Sequence, residues 1–235
     1  MNKRNKTTLI TNFLLIAIFL FVAISGFMPE KILPMSGEST TSAIYNGNKE
    51  NPNVSIMINV YENTDIVLKM MEVLKSKNVT ATFFVGGCWA DDNEYALNEM
   101  VKNGFEIGNH GYFHKDHAKL SYEKNVEEIS FTEKIVTALC GYKTTLFAPP
   151  SGSFSNNTLN ACCDLEYDVI MWSKDTIDWR DSDKKVIYSR ATKNPTNGDL
   201  ILMHPKAHTL EVLPDVIDFY LNKGFNLVDV SKNIK

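Results

Sequence analysis

The sequence predicts an α/β domain built around a parallel sheet, preceded by an N-terminal membrane segment and a linker. Its 235 residues are 44% hydrophobic and 22% charged, which is ordinary for a globular protein. From residue 53 onward, short apolar runs alternate with amphipathic helical patterns, as they do in β/α units. The first 28 residues instead join a basic start to an apolar run.

The N-terminal pattern predicts export. Lys3, Arg4 and Lys6 precede an apolar stretch over residues 9–27. This is typical of a signal peptide or a signal anchor over residues 1–28, and both cleavage and retention stay open. Residues 29–53 are polar and aperiodic, which predicts a flexible linker before a domain over residues 54–235. We therefore expect a domain on the outer face of the membrane, secreted or anchored through this segment.

Seven β units are predicted along the domain. The strands are expected at residues 54–60, 79–85, 105–108, 145–148, 168–172, 200–203 and 225–230. The helices are expected at residues 66–76, from an Asp92 cap to 102, from a Ser121 cap to Gly141, at 157–165, from a Ser182 cap to 192, and at 211–222. Right-handed crossovers allow an open doubly wound sheet or a closed barrel, and either places a site at the carboxyl ends of the strands.

Charge and cysteine content exclude two classes of function. The formal net charge of −4 and the pI of about 5.8 argue against a nucleic-acid-binding face, so we expect no nucleic-acid partner. The four cysteines contain no CxxC pair, which predicts buried free thiols rather than a cysteine metal site.

All five histidines follow predicted strands. His110 and His114 are four residues apart after the third strand, a spacing that brings two imidazoles to one divalent metal ion. His117 is a further ligand candidate or, alternatively, a solvated side chain. Imidazole ligands suit Zn, with Co or Ni as alternatives, more than Mg or Ca.

A second group follows the fifth and sixth strands. Asp178 and Trp179 place a carboxylate beside an indole, which is a common platform for a sugar ring or, alternatively, an ordinary loop with a packed tryptophan. His204 ends the sixth strand and is a candidate general acid, with Asp178 holding its tautomer.

Taken in order, these segments resemble the polysaccharide deacetylase family, carbohydrate esterase family 4. Residues 108–114 match its HxxxH motif, residues 147–152 occupy its RxPYG motif, residues 175–179 match its aspartate–tryptophan motif, and residues 201–204 match its final histidine motif. The resemblance implies a distorted (β/α)7 barrel that removes N-acetyl groups from peptidoglycan or chitin-like sugars. It implies a divalent metal on His110 and His114, a base aspartate, and His204 as the acid. Candidate substrate contacts are Trp179, Pro150, Ser151 and Asn59.

The first and third motifs depart from the family pattern. Asn59 stands at the position of the base aspartate and Val60 at that of the metal-binding aspartate. An amide is no base at neutral pH, and valine ligates no metal. The arginine of the third motif is replaced by Ala148 and its tyrosine by Ser151. This version of the motifs resembles a sporulation-associated subgroup.

Three hypotheses follow from these departures. In the first, the chain is a metal-dependent N-deacetylase in which Asp65, or Glu62, supplies the missing ligand or base. In the second, it is a non-catalytic glycan-binding relative at the cell or spore envelope. The third, a membrane-tethered assembly factor, uses neither metal nor glycan.

Overall fold

The computed structural model describes residues 42–235. The predicted membrane segment and residues 29–41 of the predicted linker lie outside this range. Within it, no helix is both long and apolar enough to cross a bilayer.

The described residues form a sheet of eight parallel strands. The strands are β1 (Asn53–Val60), β2 (Thr82–Val85), β3 (Glu106–Asn109), β4 (Leu146–Phe147), β5 (Asp168–Val169), β6 (Lys174–Asp175), β7 (Leu200–Met203) and β8 (Asn226–Leu227). Their order is β5-β4-β3-β2-β1-β7-β6, and β8 pairs with the start of β1. This confirms the predicted distorted barrel of β/α units, here in a half-barrel form.

Helices cover the sheet. They are α1 (Thr64–Ser76), α2 (Gly87–Asp92), α3 (Glu94–Lys102), α4 (Tyr122–Cys140), α5 (Asn156–Asp164), α6 (Lys184–Thr192), α7 (Ala207–Asn222) and α8 (Val230–Asn233). Short 3-10 turns at His117–Lys119 and Pro150–Gly152 shape two of the loops.

Strand β1 is the centre of the core. Seven of its eight residues are buried, because β2, β7 and β8 flank it and helices cover the sheet. In register, Asn59 lies opposite Phe84 on β2, and Ile58 lies opposite Met203 on β7. The carboxyl ends of β1, β2 and β7 therefore meet at one edge, where the sequence places its polar residues.

Several element boundaries differ from prediction. The Ser121 cap and the left-handed Gly141 at the two ends of α4 are confirmed. Asp183, rather than Ser182, caps α6, and Asp92 ends α2 instead of capping α3. The predicted start of α7 at residue 211 is wrong, because the helix begins four residues earlier, at Ala207.

Residues 44–48, which we call the N-terminal strap, pack onto the domain although they were predicted as linker. Ile44 bridges to Ile170, extending β5. The backbone N–H of Gly47 donates to Gly198 O over 2.7 Å. The strap therefore closes hydrogen bonds that β5 and its neighbours would otherwise leave to water.

The four cysteines are free, but only Cys162 is buried. Cys88, Cys140 and Cys163 are partly accessible, so the prediction of buried thiols holds for one position of four.

Removing the strap should destabilise the domain. A chain of residues 49–235 loses the backbone hydrogen bonds of Ile44, Gly47 and Asn48. These are four bonds, since Ile44 both donates to Val169 O and accepts from Met171 N–H. Because each such bond contributes about 1 kcal/mol net, we expect the free energy of unfolding to fall by about 4 kcal/mol. Urea denaturation measures this against the matched chain of residues 42–235. Equal stability of the two chains would show that the strap is an accessory segment.

Candidate functional site

The carboxyl ends of the central strands open into a cleft of about 680 Å³. Its lining includes Asn59, Tyr61, His110, His114, Trp179 and His204. Polar side chains that are far apart in the sequence, such as His110 and His204, thus lie in the same cleft. This agrees with the prediction of a site at the carboxyl ends of the strands.

His204 and Asp178 form a hydrogen-bonded pair on one wall of the cleft. His204 Nδ1 donates to Asp178 Oδ1 over 2.7 Å. The other carboxylate oxygen, Oδ2, accepts from the backbone N–H of His204 (2.8 Å) and from the hydroxyl of Thr209 (2.7 Å). Because Nδ1 carries the proton, Nε2 is the nitrogen of neutral His204 that is free to exchange one.

The environment of Asp178 keeps its carboxylate ionised. Burial alone would raise its pKa, but the hydrogen bonds and charge of His204, together with Thr209, outweigh burial and hold the pKa below the ordinary value of 3.8. The side chain of Asp178 is buried, while that of His204 is 21% exposed. The pair therefore presents an oriented imidazole to the cleft and backs it with a fixed negative charge.

The two histidines of the HxxxH motif face each other in the same cleft. Their ring centroids are 5.2 Å apart. His110 Nδ1 donates to Ala148 O over 2.7 Å, which leaves its Nε2 unprotonated when the ring is neutral. Burial, and then the neighbouring His114, lower the pKa of His110 to about 3, so its ring is neutral at physiological pH. Burial also lowers the pKa of His114.

The donor set does not complete a metal site of the family type. Catalytic zinc sites use three protein ligands. Within residues 42–235, no group of three His, Cys, Asp or Glu side chains is placed to hold a metal ion. Val60 is fully buried in β1, and its side chain carries no atom that can ligate a metal. Two suitably oriented imidazoles are present, but a third ligand is missing from this part of the chain.

Asp65 does not fill the vacant position. It lies in the first turn of α1 and is exposed to solvent, away from the residues that line the cleft. The chain turns sharply at Asn63 (φ 58°) and enters the helix at Thr64, and Asp65 joins no group of three potential metal ligands within residues 42–235. The geometry thus gives no support to Asp65 as metal ligand or base. Glu62 does line the cleft, where it pairs with Lys206.

Three of the four predicted substrate contacts line the cleft. Trp179 lines the cleft and is 55% exposed, and Ser151 lines it at a left-handed position (φ 55°). Asn59 also lines it, and its buried Oδ1 has no hydrogen-bond partner among the described residues. Pro150 is buried and is not part of the lining.

Sequence reasoning missed several residues of the site. Tyr61, Phe113, Trp172 and Lys206 line the cleft. Thr209 donates a hydrogen bond to Asp178 from the first turn of α7. The sequence missed this contact because it predicts that the helix starts only at residue 211. The expectation that His117 is either a ligand or solvated is wrong, because its side chain is buried and Nδ1 donates to Asn125 Oδ1 over 2.7 Å.

The chain matches the family model described as "Polysaccharide deacetylase" over residues 46–170. It is 36% identical over 189 residues to a Bacillus subtilis protein described as uncharacterized protein YlxY, covering 80% of this chain and 59% of that protein. It is 31% identical to the peptidoglycan-N-acetylmuramic acid deacetylase PdaC of B. subtilis, covering 70% of this chain and 35% of PdaC. The chain thus spans about a third to three-fifths of the length of these relatives.

Two solved structures described as CE4 family proteins have a similar fold. BA3943 of Bacillus anthracis, described as a CE4 family pseudoenzyme, matches with a TM-score of 0.81 at 30% identity, covering 83% of this chain and 70% of that one. A BA3943 mutant, described as a pseudoenzyme with restored enzymatic activity, matches with the same score at 28% identity, covering 83% of this chain and 72% of that one.

The Asp178 pair predicts an acid-sensitive fold. Because the folded-state pKa of Asp178 lies below 3.8, its contribution is complete above that pH and is lost as the pH falls through the folded pKa. Asp178→Asn should remove this contribution and flatten the loss of stability below about pH 4. Urea denaturation between pH 2 and pH 6 measures it, with the exposed Asp168→Asn as the matched control. If Asp178→Asn lost stability below about pH 4 as steeply as the native chain, Asp178 would not be the source of the acid sensitivity.

Proposed function

Because this chain belongs to the polysaccharide deacetylase family, we propose that its cleft binds an N-acetylated sugar of a cell-wall polysaccharide, of the peptidoglycan class. The function that the geometry supports best is recognition of this glycan with hydrolysis impaired. The observation that carries the proposal is that β1 ends in Asn59 and Val60, neither of which is a carboxylate. The cleft nevertheless keeps His110, His114 and His204. PdaC and related family members, whose names describe peptidoglycan deacetylases, support the choice of glycan.

Amide hydrolysis needs a group that takes a proton from water. The Asn59 side chain cannot do so at neutral pH, because an amide oxygen is a very weak base. With Val60 in place of a ligand, the two imidazoles of His110 and His114 are left as an incomplete donor set. The chain therefore retains the shape of the family cleft without two groups that its chemistry needs.

The remaining groups suit sugar binding. Trp179 presents an exposed indole on which the C–H face of a pyranose can stack. Asn59 lines the cleft, so its side-chain amide is placed to form a hydrogen bond with an acetamido group bound there. The free Nε2 of His204 provides a further polar contact to the sugar.

Metal-dependent N-deacetylation is the second candidate, and the His204–Asp178 pair favours it. A pure binding protein has no evident need for a histidine backed by a buried carboxylate, whereas a deacetylase uses such a histidine to protonate the leaving amine. The tautomer of His110 also suits a metal ligand, with Zn, Co or Ni as the matching ions.

The setting is proposed from the sequence. The basic and apolar start over residues 1–28 supports export, with the domain anchored at or released from the outer face of the cell membrane. The resemblance of Asn59, Val60 and Ala148 to the sporulation-associated subgroup supports a role in the spore envelope.

Restoring the missing groups tests the two candidates against each other. We expect the native chain to release acetate from peptidoglycan or chitooligosaccharides at background rate. The variant Asn59→Asp, Val60→Asp, Ala148→Arg should gain at least about 100-fold, since a positioned base contributes this much or more, and the gain should require Zn²⁺ or Co²⁺. Asn59→Asp alone is the control and should stay near background. Metal-dependent acetate release by the native chain would instead establish the second candidate.

Glycan binding itself is tested at Trp179. Trp179→Ala should weaken binding of N-acetylchitotetraose or a muropeptide by roughly 10-fold, since an aromatic contact contributes about 1 kcal/mol or more. Isothermal titration calorimetry measures the affinity. Tyr95→Ala removes another exposed aromatic, on α3 and outside the cleft, and should leave binding unchanged. Equal losses in both variants, or no binding by the native chain, would refute the proposal.

A further inference from the structure

A buried carboxylate holds the backbone between the two cleft histidines. We call residues 110–114 the histidine loop. Oε2 of Glu128, on α4, accepts hydrogen bonds from two consecutive backbone N–H groups of this loop, those of Tyr112 (2.9 Å) and Phe113 (2.7 Å). Glu128 is only 8% exposed. It neither lines the cleft nor belongs to the family motifs identified in the sequence.

Glu128 has no cationic partner within residues 42–235. A buried carboxylate without a counter-ion is costly unless it is hydrogen-bonded. The two loop N–H groups meet this need, and the carboxylate in turn satisfies two backbone donors. The loop and Glu128 therefore stabilise each other.

A second clamp holds the other end of the same loop. The side chain of Asn109 accepts from the backbone N–H of Gly111 (2.9 Å) and donates to Ile129 O on α4 (2.8 Å). Gly111 has a positive φ of 72°, and a Cβ there would lie 2.8 Å from His117 Nε2. The loop is thus held by contacts to two consecutive residues of α4, Glu128 and Ile129, and Gly111 leaves no space for a larger side chain.

The histidine loop ends at His114, whose backbone is strained. His114 has a φ of 53°, in the left-handed region that residues other than glycine rarely adopt. Such a conformation persists when its surroundings impose it, and it is common at functional sites. Here it brings the His114 ring to 5.2 Å from His110 and to 5.2 Å from Tyr61, both of which line the cleft.

We infer that Glu128 is a positioning residue for His114: its carboxylate holds the histidine loop in the strained conformation that turns the His114 ring toward His110. The relevance of this role to glycan binding rests on the proposed function, whereas the geometric role stands apart from it.

Three variants separate this role from general stability. Glu128→Gln keeps the shape and one acceptor oxygen but removes the charge, and Glu128→Leu removes both hydrogen bonds while remaining buried and apolar. Glu127→Gln is the matched control, because Glu127 lies on the same helix but pairs with Lys124 at the surface. The native chain and each variant are compared by the ¹H–¹⁵N NMR signals of the Tyr112 and Phe113 amides and of the His110 and His114 rings. Far-UV circular dichroism reports the fold.

We expect the Tyr112 and Phe113 amide protons to move upfield in Glu128→Gln, with a smaller shift of the His114 ring. In Glu128→Leu the His114 ring signals should lose their native positions while the fold is retained. Affinity for N-acetylchitotetraose should fall by roughly 10-fold in Glu128→Leu, the lower end of the effect seen when supporting partners of site histidines are removed. Glu128→Gln should lie between the native chain and Glu128→Leu, and Glu127→Gln should match the native chain.

Native His114 signals in Glu128→Leu would overturn the inference. If Glu128→Leu does not fold, Glu128→Gln decides, and unchanged loop amides together with an unchanged His114 ring would refute the role. If the native chain binds no glycan, the proposed function fails, but the NMR comparison still judges the position of His114.

Discussion

The pairing of strand β1 is the constraint on which the rest of the structure depends. β1 is hydrogen-bonded to β2, β7 and β8, and it is buried almost from end to end. Because all of these pairs are parallel, their carboxyl ends coincide at one edge of the sheet. A shift of β1 by one residue would exchange its two faces and move Asn59 out of the cleft. The site therefore inherits its geometry from the register of the sheet.

Asp178 and Glu128 are buried carboxylates that N–H and O–H donors stabilise, and neither pairs with a lysine or arginine within residues 42–235. Asp178 accepts from the ring and backbone of His204 and from Thr209. Glu128 accepts from two consecutive backbone N–H groups. Such directional bonds fix orientation as well as charge, which suits groups that must aim an imidazole. Neither carboxylate depends on a mobile lysine or arginine.

The residues at which the sequence suggests departures from the family motifs are buried and uncharged. Val60 and Ala148 are fully buried, and Asn59 is almost so. A buried arginine beside Asn59 would lack a carboxylate partner, and an uncompensated buried guanidinium is strongly destabilising. Asn59, Val60 and Ala148 place no unpaired charge in the interior at these three positions.

The sequence by itself determined the α/β class, most of the strands, and the placement of His110, His114, Asp178 and His204 at strand ends, because buried parallel strands leave a strong apolar pattern. The altered first motif at Asn59 and Val60 stays a prediction from the sequence. The tertiary structure decided what depends on short-range geometry. It carried Asp65 into a solvent-exposed helical turn, buried His117, and began α7 early enough for Thr209 to reach Asp178. It also drew the strap onto the domain and placed Glu128 under the histidine loop. Such contacts depend on a few hydrogen bonds between particular residues, which leave no periodic signal in the chain.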